Sequence, residues 1–314
     1  MMAAYYTFED LSGSNTPSNS DNPYEGLLEA CGNDATRVQE RYETHRTNRN
    51  ALQRAKLLSP DFSGVTVDEI LAKIEDPNGH PDFKDWRHCL VFWARPPGHI
   101  RSLIAQVQER LREVAPNLWT MPPPNLHMTA LEITHSLTAQ EIEALVNQMR
   151  PGVPDITDYT LDHRARLVKP MLSFDAQALA LSFLPAAGEP GRNVEEDAYT
   201  YHHLRRDLHT KAEATGVKVA SRYVIPSAHL TIGRFITKRD FEDGEGKVSH
   251  SSIEKLIAKI EEINEWLRQE YWPQPGNTAT SGEWVVGQEK GLEYRKGTLW
   301  YGGGGETEYL GTGF

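Results

Sequence analysis

Pro124-Asn125-Leu126-His127-Met128-Thr129-Ala130-Leu131-Glu132-Ile133 and Pro226-Ser227-Ala228-His229-Leu230-Thr231-Ile232-Gly233-Arg234-Phe235 are two Pro-led, apolar runs, each with a histidine and a threonine two positions apart. Such runs read as strands, in which successive side chains take opposite faces. His127 and Thr129 then share one face and Met128 and Ala130 the other; His229 and Thr231 are matched in the same way. One His-x-Thr is a weak signal, because a strand histidine is most often a hydrogen-bonded core or surface residue. Two copies in the same local setting are much harder to attribute to packing alone.

The flanks repeat as well. Ile100, Leu103, Ile104, Val107, Leu111 and Val114 recur at helical spacing before the first run, and Leu204, Leu208 and Ala212 mark a helix over residues 197–215 before the second. After the first, Thr138 and Glu141 make a capping-box signature; after the second, Ser251 and Glu254 do the same ahead of Ile253, Leu256, Ile257 and Ile260. The order helix, His-x-Thr strand, helix therefore occurs twice, which reads as an internal duplication. Residues 89–94 form an apolar strand stopped by Pro96 and Pro97, and residues 161–168, 171–174 and 178–184 read as a meander. Residues 283–286, 291–294 and 298–301, separated by Gly-containing turns, suggest a hairpin or three-stranded ribbon. The expected fold is α+β and bilobal: two antiparallel sheets facing each other across a central cleft, helices outside, and a helical N-terminal extension. Residues 1–85 are the extension and residues 86–314 the bilobal domain.

With its two motifs 229 − 127 = 102 residues apart, the chain resembles the two-histidine (2H) phosphoesterase superfamily, and within it fungal proteins of the RNA ligase/cyclic nucleotide phosphodiesterase group. The run from His229 to Phe235 is similar to the family's fuller motif, with Arg234 after it; the first run has Glu132 at the matching place and is not. The likeness covers residues 86–301 by element order and is specific at the two motifs. It implies metal-independent action on 2′,3′-cyclic phosphates or related phosphodiesters, with His229 as base and His127 as acid.

The residues themselves suit that chemistry. Opening a cyclic phosphodiester requires a proton to leave the attacking water and another to reach the departing ribose oxygen, and imidazole performs both near neutral pH. Thr129 and Thr231 can donate to the non-bridging phosphate oxygens, where charge develops in the transition state. Phe235, on the histidine face by alternation, and Tyr301, ahead of flexible glycines, are the candidate nucleobase contacts among Trp119, Tyr223, Phe235, Trp300 and Tyr301. Strict alternation puts Arg234 on the opposite face unless the strand bulges. The same scaffold also suits an RNA-trimming exonuclease, a 2′,5′-oligonucleotide diesterase, a ligase-like transesterase or a catalytically silent phosphate-binding module.

Composition bounds the partners. A formal net charge of −11, from 33 Lys+Arg and 44 Asp+Glu, opposes binding of a long polyanion. A small nucleotide or short RNA end is the expected substrate, and DNA is not an expected partner. Residues 35–56 form a basic island with Arg37, Arg41, Arg46, Arg49, Arg54 and Lys56, read as a solvated helix face or else an anionic-partner contact. Residues 12–23, rich in Ser, Asn, Gly and Pro, read as loosely held. No membrane span, secretion signal, zinc pattern or phosphate-binding Gly-x-x-x-x-Gly-Lys loop is present, and Cys31 and Cys89 make no disulfide framework. The chain is expected to be intracellular, in cytoplasm or nucleus, without cofactor or metal; its oligomeric state is left open.

Overall fold

A computed structural model describes residues 9–13, 20–190, 194–274 and 281–314. Among these, two N-terminal helices, α1 (Glu25–Cys31) and α2 (Ala35–Leu57), are followed by α3 (Glu69–Glu75), β1 (His88–Ala94), α4 (Gly98–Arg112), β2 (Trp119–Thr120) and β3 (Met128–Leu137). Then come α5 (Ala139–Met149), α6 (Val153–Thr157), β4 (Arg166–Phe174), β5 (Ala178–Pro185), α7 (Tyr201–Glu213) and β6 (Ala228–Arg234). The long α8 (His250–Tyr271) precedes β7 (Trp284–Val285), β8 (Leu292–Gly297) and β9 (Gly305–Leu310). The class is α+β with two antiparallel sheets, ordered β3-β1-β8-β9 and β2-β6-β5-β4-β7. The two His-x-Thr runs lie in different sheets, and β3 and β6 touch.

Both faces of β1 are covered, which explains why its sequence is apolar without alternation. Leu90, Phe92 and Ala94 enter the main core, while Cys89, Val91 and Trp93 form a separate small cluster with Leu299. That second cluster is the floor under the first motif. On the other sheet α8 covers β4 with Ile253, Leu256, Ile260, Ile263 and Leu267 at helical spacing, all buried. β7 pairs with β4 only at Arg166 and Leu167. Beyond it Asn264 of α8 accepts from the Leu172 amide at 2.7 Å and donates to its carbonyl at 3.0 Å, and Asn50 of α2 donates to that carbonyl at 3.2 Å. These side chains satisfy backbone groups that no strand reaches.

The N-terminal helices share the main core: Tyr24, Leu28, Val38 and Tyr42 are buried in it. Of residues 12–23, residues 14–19 lie outside the described set, and Ser12 is buried. The expected meander is two strands, because residues 166–174 run continuously through a kink at Lys169 (φ 54°), where the pairing with β5 slips. The expected C-terminal ribbon is also different. β7 belongs to the other sheet, residues 298–301 form a turn, and the hairpin is β8 with β9. The capping box at Thr138 and Glu141 is present. α8 starts earlier than expected: Ser249, not Ser251, accepts from the backbone at Ser252.

Candidate active site

The first histidine is set by the turn before it. Pro123–Asn125 forms a single 3₁₀ turn, and Arg95 donates from Nη1 to the carbonyls of Pro124 and Leu126, both at 3.1 Å. This clamp leaves the Asn125 carbonyl 2.7 Å from Nδ1 of His127. A carbonyl only accepts, so Nδ1 carries the proton and Nε2 is left for the cavity. Trp93 fixes the ring plane, stacking on it with centroids 3.8 Å apart and planes 19° apart. The second histidine follows the same pattern with a hydroxyl: Ser227 Oγ lies 2.9 Å from Nδ1 of His229.

Each motif strand carries an extra residue directly after its threonine. In β3, Trp93 and Phe92 of β1 pair with Thr129 and Leu131, skipping Ala130; in β6, Ala180 and Leu179 of β5 pair with Thr231 and Gly233, skipping Ile232. Gln108 of α4 holds the second bulge, donating to the Ile232 carbonyl at 2.9 Å. A bulge resets the alternation, so Glu132 and Arg234, five residues beyond their histidines, face the same pocket as His127, Thr129, His229 and Thr231. The bulge sends Phe235 the other way. It is 2% exposed, packs edge-on against Phe241 at 5.4 Å and lies in the core, so it is not a cavity contact. Tyr301 lines the wider cavity, with its hydroxyl donating to Asp68 at 2.7 Å.

The pocket holding the four motif side chains has a volume of about 70 Å³ and opens into a cavity of about 930 Å³. Arg222, Tyr223, His229, Thr231, Arg234 and Trp300 line both. Three guanidinium groups, Arg205, Arg222 and Arg234, line the inner pocket with one carboxylate, Glu132; with Asp68, the partner of Arg234, the balance is 3 − 2 = +1. Glu132 is bound by Arg222 at 3.0 and 2.8 Å, and Arg234 pairs with Asp68 at 3.1 Å. Arg205 is 1% exposed and donates to the Ile225 carbonyl (2.9 Å) and the Tyr24 hydroxyl (3.3 Å); among the described residues no carboxylate pairs with it and its Nε has no partner. A buried cation without a counter-ion is unfavourable until an anion arrives.

Both imidazoles keep only a cavity-facing edge. Burial, with Arg95 and Arg295 opposing protonation and the Asn125 carbonyl favouring it, pushes His127 down to about 3. Burial, then the fields of Arg49 and Arg205, pushes His229 down to about 4. The threonine hydroxyls have no internal partner among the described residues, so their donors point at whatever the pocket receives.

Two of the cations were hidden from sequence reasoning. Arg205 was visible in principle: it shares the i, i+3, i+4, i+7 stripe of Tyr201, Leu204 and Leu208, all buried. Arg222 lies in an irregular stretch with no periodicity to read. His202 and His203 on α7 are buried, the first held between the Tyr42 hydroxyl and the Tyr24 carbonyl, both at 2.9 Å. No three His, Cys, Asp or Glu among the described residues gather as a metal site, and no described helix is long and apolar enough to cross a membrane. Comparison with models of known protein families finds no match to this chain, and comparison with curated proteins finds none either.

Proposed function

We propose that this protein is a phosphodiesterase of the two-histidine type, opening 2′,3′-cyclic phosphates of nucleotides or short RNA ends. The observation that carries the reading is the convergence of His127, Thr129, His229 and Thr231, from strands of two different sheets, on one cationic pocket. The matching bulges after the two threonines support a duplicated, two-lobed origin for these sheets, with α1 and α2 as an addition to it.

In this reading the phosphate sits between the two motif strands. Thr129 and Thr231 donate to its non-bridging oxygens, and Arg205, Arg222 and Arg234 supply the field that its charge requires. His229, with Nδ1–H donating to Ser227, accepts a proton at Nε2 from the attacking water as the new P–O bond forms. His127, protonated, gives its Nε2 proton to the departing ribose 2′ or 3′ oxygen as the old P–O bond breaks, while the Asn125 carbonyl keeps the Nδ1 proton. The reaction consumes one water, and the two imidazoles exchange protonation states. Neither step routes through a metal.

The test is a panel of 2′,3′-cyclic mononucleotides, 3′,5′-cyclic nucleotides and short RNAs with defined ends, assayed in excess chelator with wild type, His127→Ala and His229→Ala. The 2′,3′-cyclic substrates should be hydrolysed, each variant being slower by about a hundredfold or more. Absence of turnover on every cyclic phosphate, or a variant as fast as wild type, would overturn the assignment.

A further inference from the structure

The cavity beside the proposed phosphate pocket is much larger than a phosphate, and one of its walls is α2. Tyr42, His45, Arg46 and Arg49 line it, spaced i, i+3, i+4 and i+7, which places them on one helix face. They share the cavity with Ser173, Ala180 and Ser182 and with His229 and Thr231, which pair with Ser182 and Ala180 in the sheet.

Among the described residues, three buried donors on this face, from His45 and Arg46, have no acceptor. His45 is 2% exposed, and its Nδ1 accepts from the Leu11 amide at 3.0 Å. Its proton therefore sits on Nε2, which is buried without a partner. The Asp10 carboxylate, 3.6 Å from Nδ1, is beyond hydrogen-bonding distance. Arg46, 5% exposed, donates from Nη1 to the Lys169 carbonyl at 2.7 Å, while its Nε and Nη2 are buried and unpartnered. Arg49 pairs with Asp175 at 2.7 Å and donates to the Phe174 carbonyl at 3.2 Å. Asp175 is the counter-ion of Arg49, while no described carboxylate lies within ion-pair distance of Arg46, which keeps a positive charge beside these donors. Buried N–H groups without acceptors are unfavourable, and the ligand that relieves several at once beside a positive charge is an acceptor-only anion.

We propose that His45, Arg46 and Arg49 form a second anion subsite, which holds a phosphate of the substrate other than the one attacked. The subsite deepens the phosphodiesterase reading and rests on it for the identity of the first phosphate. It narrows the substrate class to nucleotides with two phosphoryl groups. The second is either a 5′-phosphate on the same ribose or the internucleotide phosphate of a short RNA end. A cavity of about 930 Å³ has room for either, being near the upper end of the about 300–1,000 Å³ of small-molecule sites.

Calorimetric binding separates this inference from the catalytic one, because it needs no turnover. Adenosine 3′-monophosphate, adenosine 3′,5′-bisphosphate and the dinucleotide ApA with a 3′-phosphate are titrated into wild type, Arg46→Met and Arg49→Gln, each variant checked by thermal melt. The expected result is that one of the two ligands with two phosphoryl groups binds at least about tenfold tighter than the monophosphate; which one identifies the source of the second phosphate. That ratio should fall to near one in both variants. Equal binding of all three ligands to wild type, or a ratio that survives both substitutions, overturns the subsite. If Arg46→Met is too unstable to titrate, Arg49→Gln and His45→Gln decide the outcome by the same ratio. Lack of turnover with the ratio intact would refute the phosphodiesterase alone.

Discussion

Anion binding to the pocket should pull a proton from solvent. With His127 near 3 and His229 near 4, both imidazoles are neutral in the free protein at pH 6, yet acid–base catalysis needs one of them charged. A unit negative charge about 4 Å from an imidazole, at an effective dielectric constant of about 20, favours the protonated ring by roughly 4 kcal/mol. That is about three pKa units, enough to carry His127, the acid of the proposed reaction, from about 3 to roughly 6. The sign is fixed by the direction: binding raises the pKa, so protons are taken up between the free and bound values. Calorimetry with inorganic sulfate, whose charge is constant over this range, in two buffers of different ionisation enthalpy at pH 5.5 should give close to one proton per site. The pH profiles of turnover should diverge for the same reason. kcat/KM, which reports the free protein, should rise steeply as pH falls from 8 to 5, while kcat, which reports the complex, should turn at about pH 6. Zero proton uptake at pH 5.5, or kcat and kcat/KM profiles with the same midpoints, would show that the bound anion does not charge either histidine.

Thr129→Val and Thr231→Val should each lower kcat by about a hundredfold or more, with thermal melting within a degree or two of wild type, because neither hydroxyl has an internal partner to lose; a matching loss of stability would mark them as structural. Gly302 holds φ +75°, and a Cβ there would lie only 2.3 Å from the Asn125 carbonyl oxygen, whereas at Gly303 the nearest atom, Asn125 Nδ2, is 3.4 Å away. Gly302→Ala should therefore displace the group that orients His127 and reduce kcat well beyond the strain of about 1–2 kcal/mol that a left-handed alanine carries, while Gly303→Ala should turn over like wild type. Equal kinetics for the two glycine variants would detach the Asn125 carbonyl from catalysis.

The parts of this architecture that were legible in the sequence are those fixed by local periodicity. The stripe of Ile100, Leu103, Ile104 and Val107 and the Thr138–Glu141 box give α4 and α5 within two residues, because each is decided by neighbours within one turn. The motif residues meet in one pocket because period-two alternation holds from His229 to Thr231. It fails one residue later. The bulge at Ile232 is stabilised by Gln108 and by the Met121 amide, which donates to the same carbonyl at 3.0 Å. Those partners come from over a hundred residues away, so nothing local could forecast that Phe235 would enter the core and Arg234 the pocket. The C-terminal ribbon fails for a related reason. β7 has only two paired residues, and what decides its sheet is the vacant edge of β4 rather than the glycines that follow it.

The distribution of charge, rather than its total, bears on the size of the substrate. The basic island on α2 reads from sequence as a solvated helix face or else an anionic-partner contact; the fold turns Arg46 and Arg49 inward and ties Arg41 and Arg54 to partners within the chain, Arg54 in an exposed pair. Arg46 is buried, Arg49 is paired with Asp175 at the cavity, Arg41 donates to the Ser12 carbonyl at 3.0 Å, and Arg54 is bound to Glu261 at 2.7 Å. Few of its charges are left to neutralise a run of phosphates outside the cavity, and the chain's net charge of −11 opposes such a run within about 8 Å, the screening length at physiological salt. Inside the cavity the balance reverses. Arg205, Arg222, Arg234, Arg46, Arg49 and Arg87 stand against Glu132, Asp68, Glu69 and Asp175, with low-dielectric walls that strengthen the field where an anion would sit. Under the proposed function, an acidic chain around a cationic cavity would admit the terminal one or two phosphates of a substrate and oppose the polyanion behind them, so chain length would be limited by the field outside the site rather than by the shape within it.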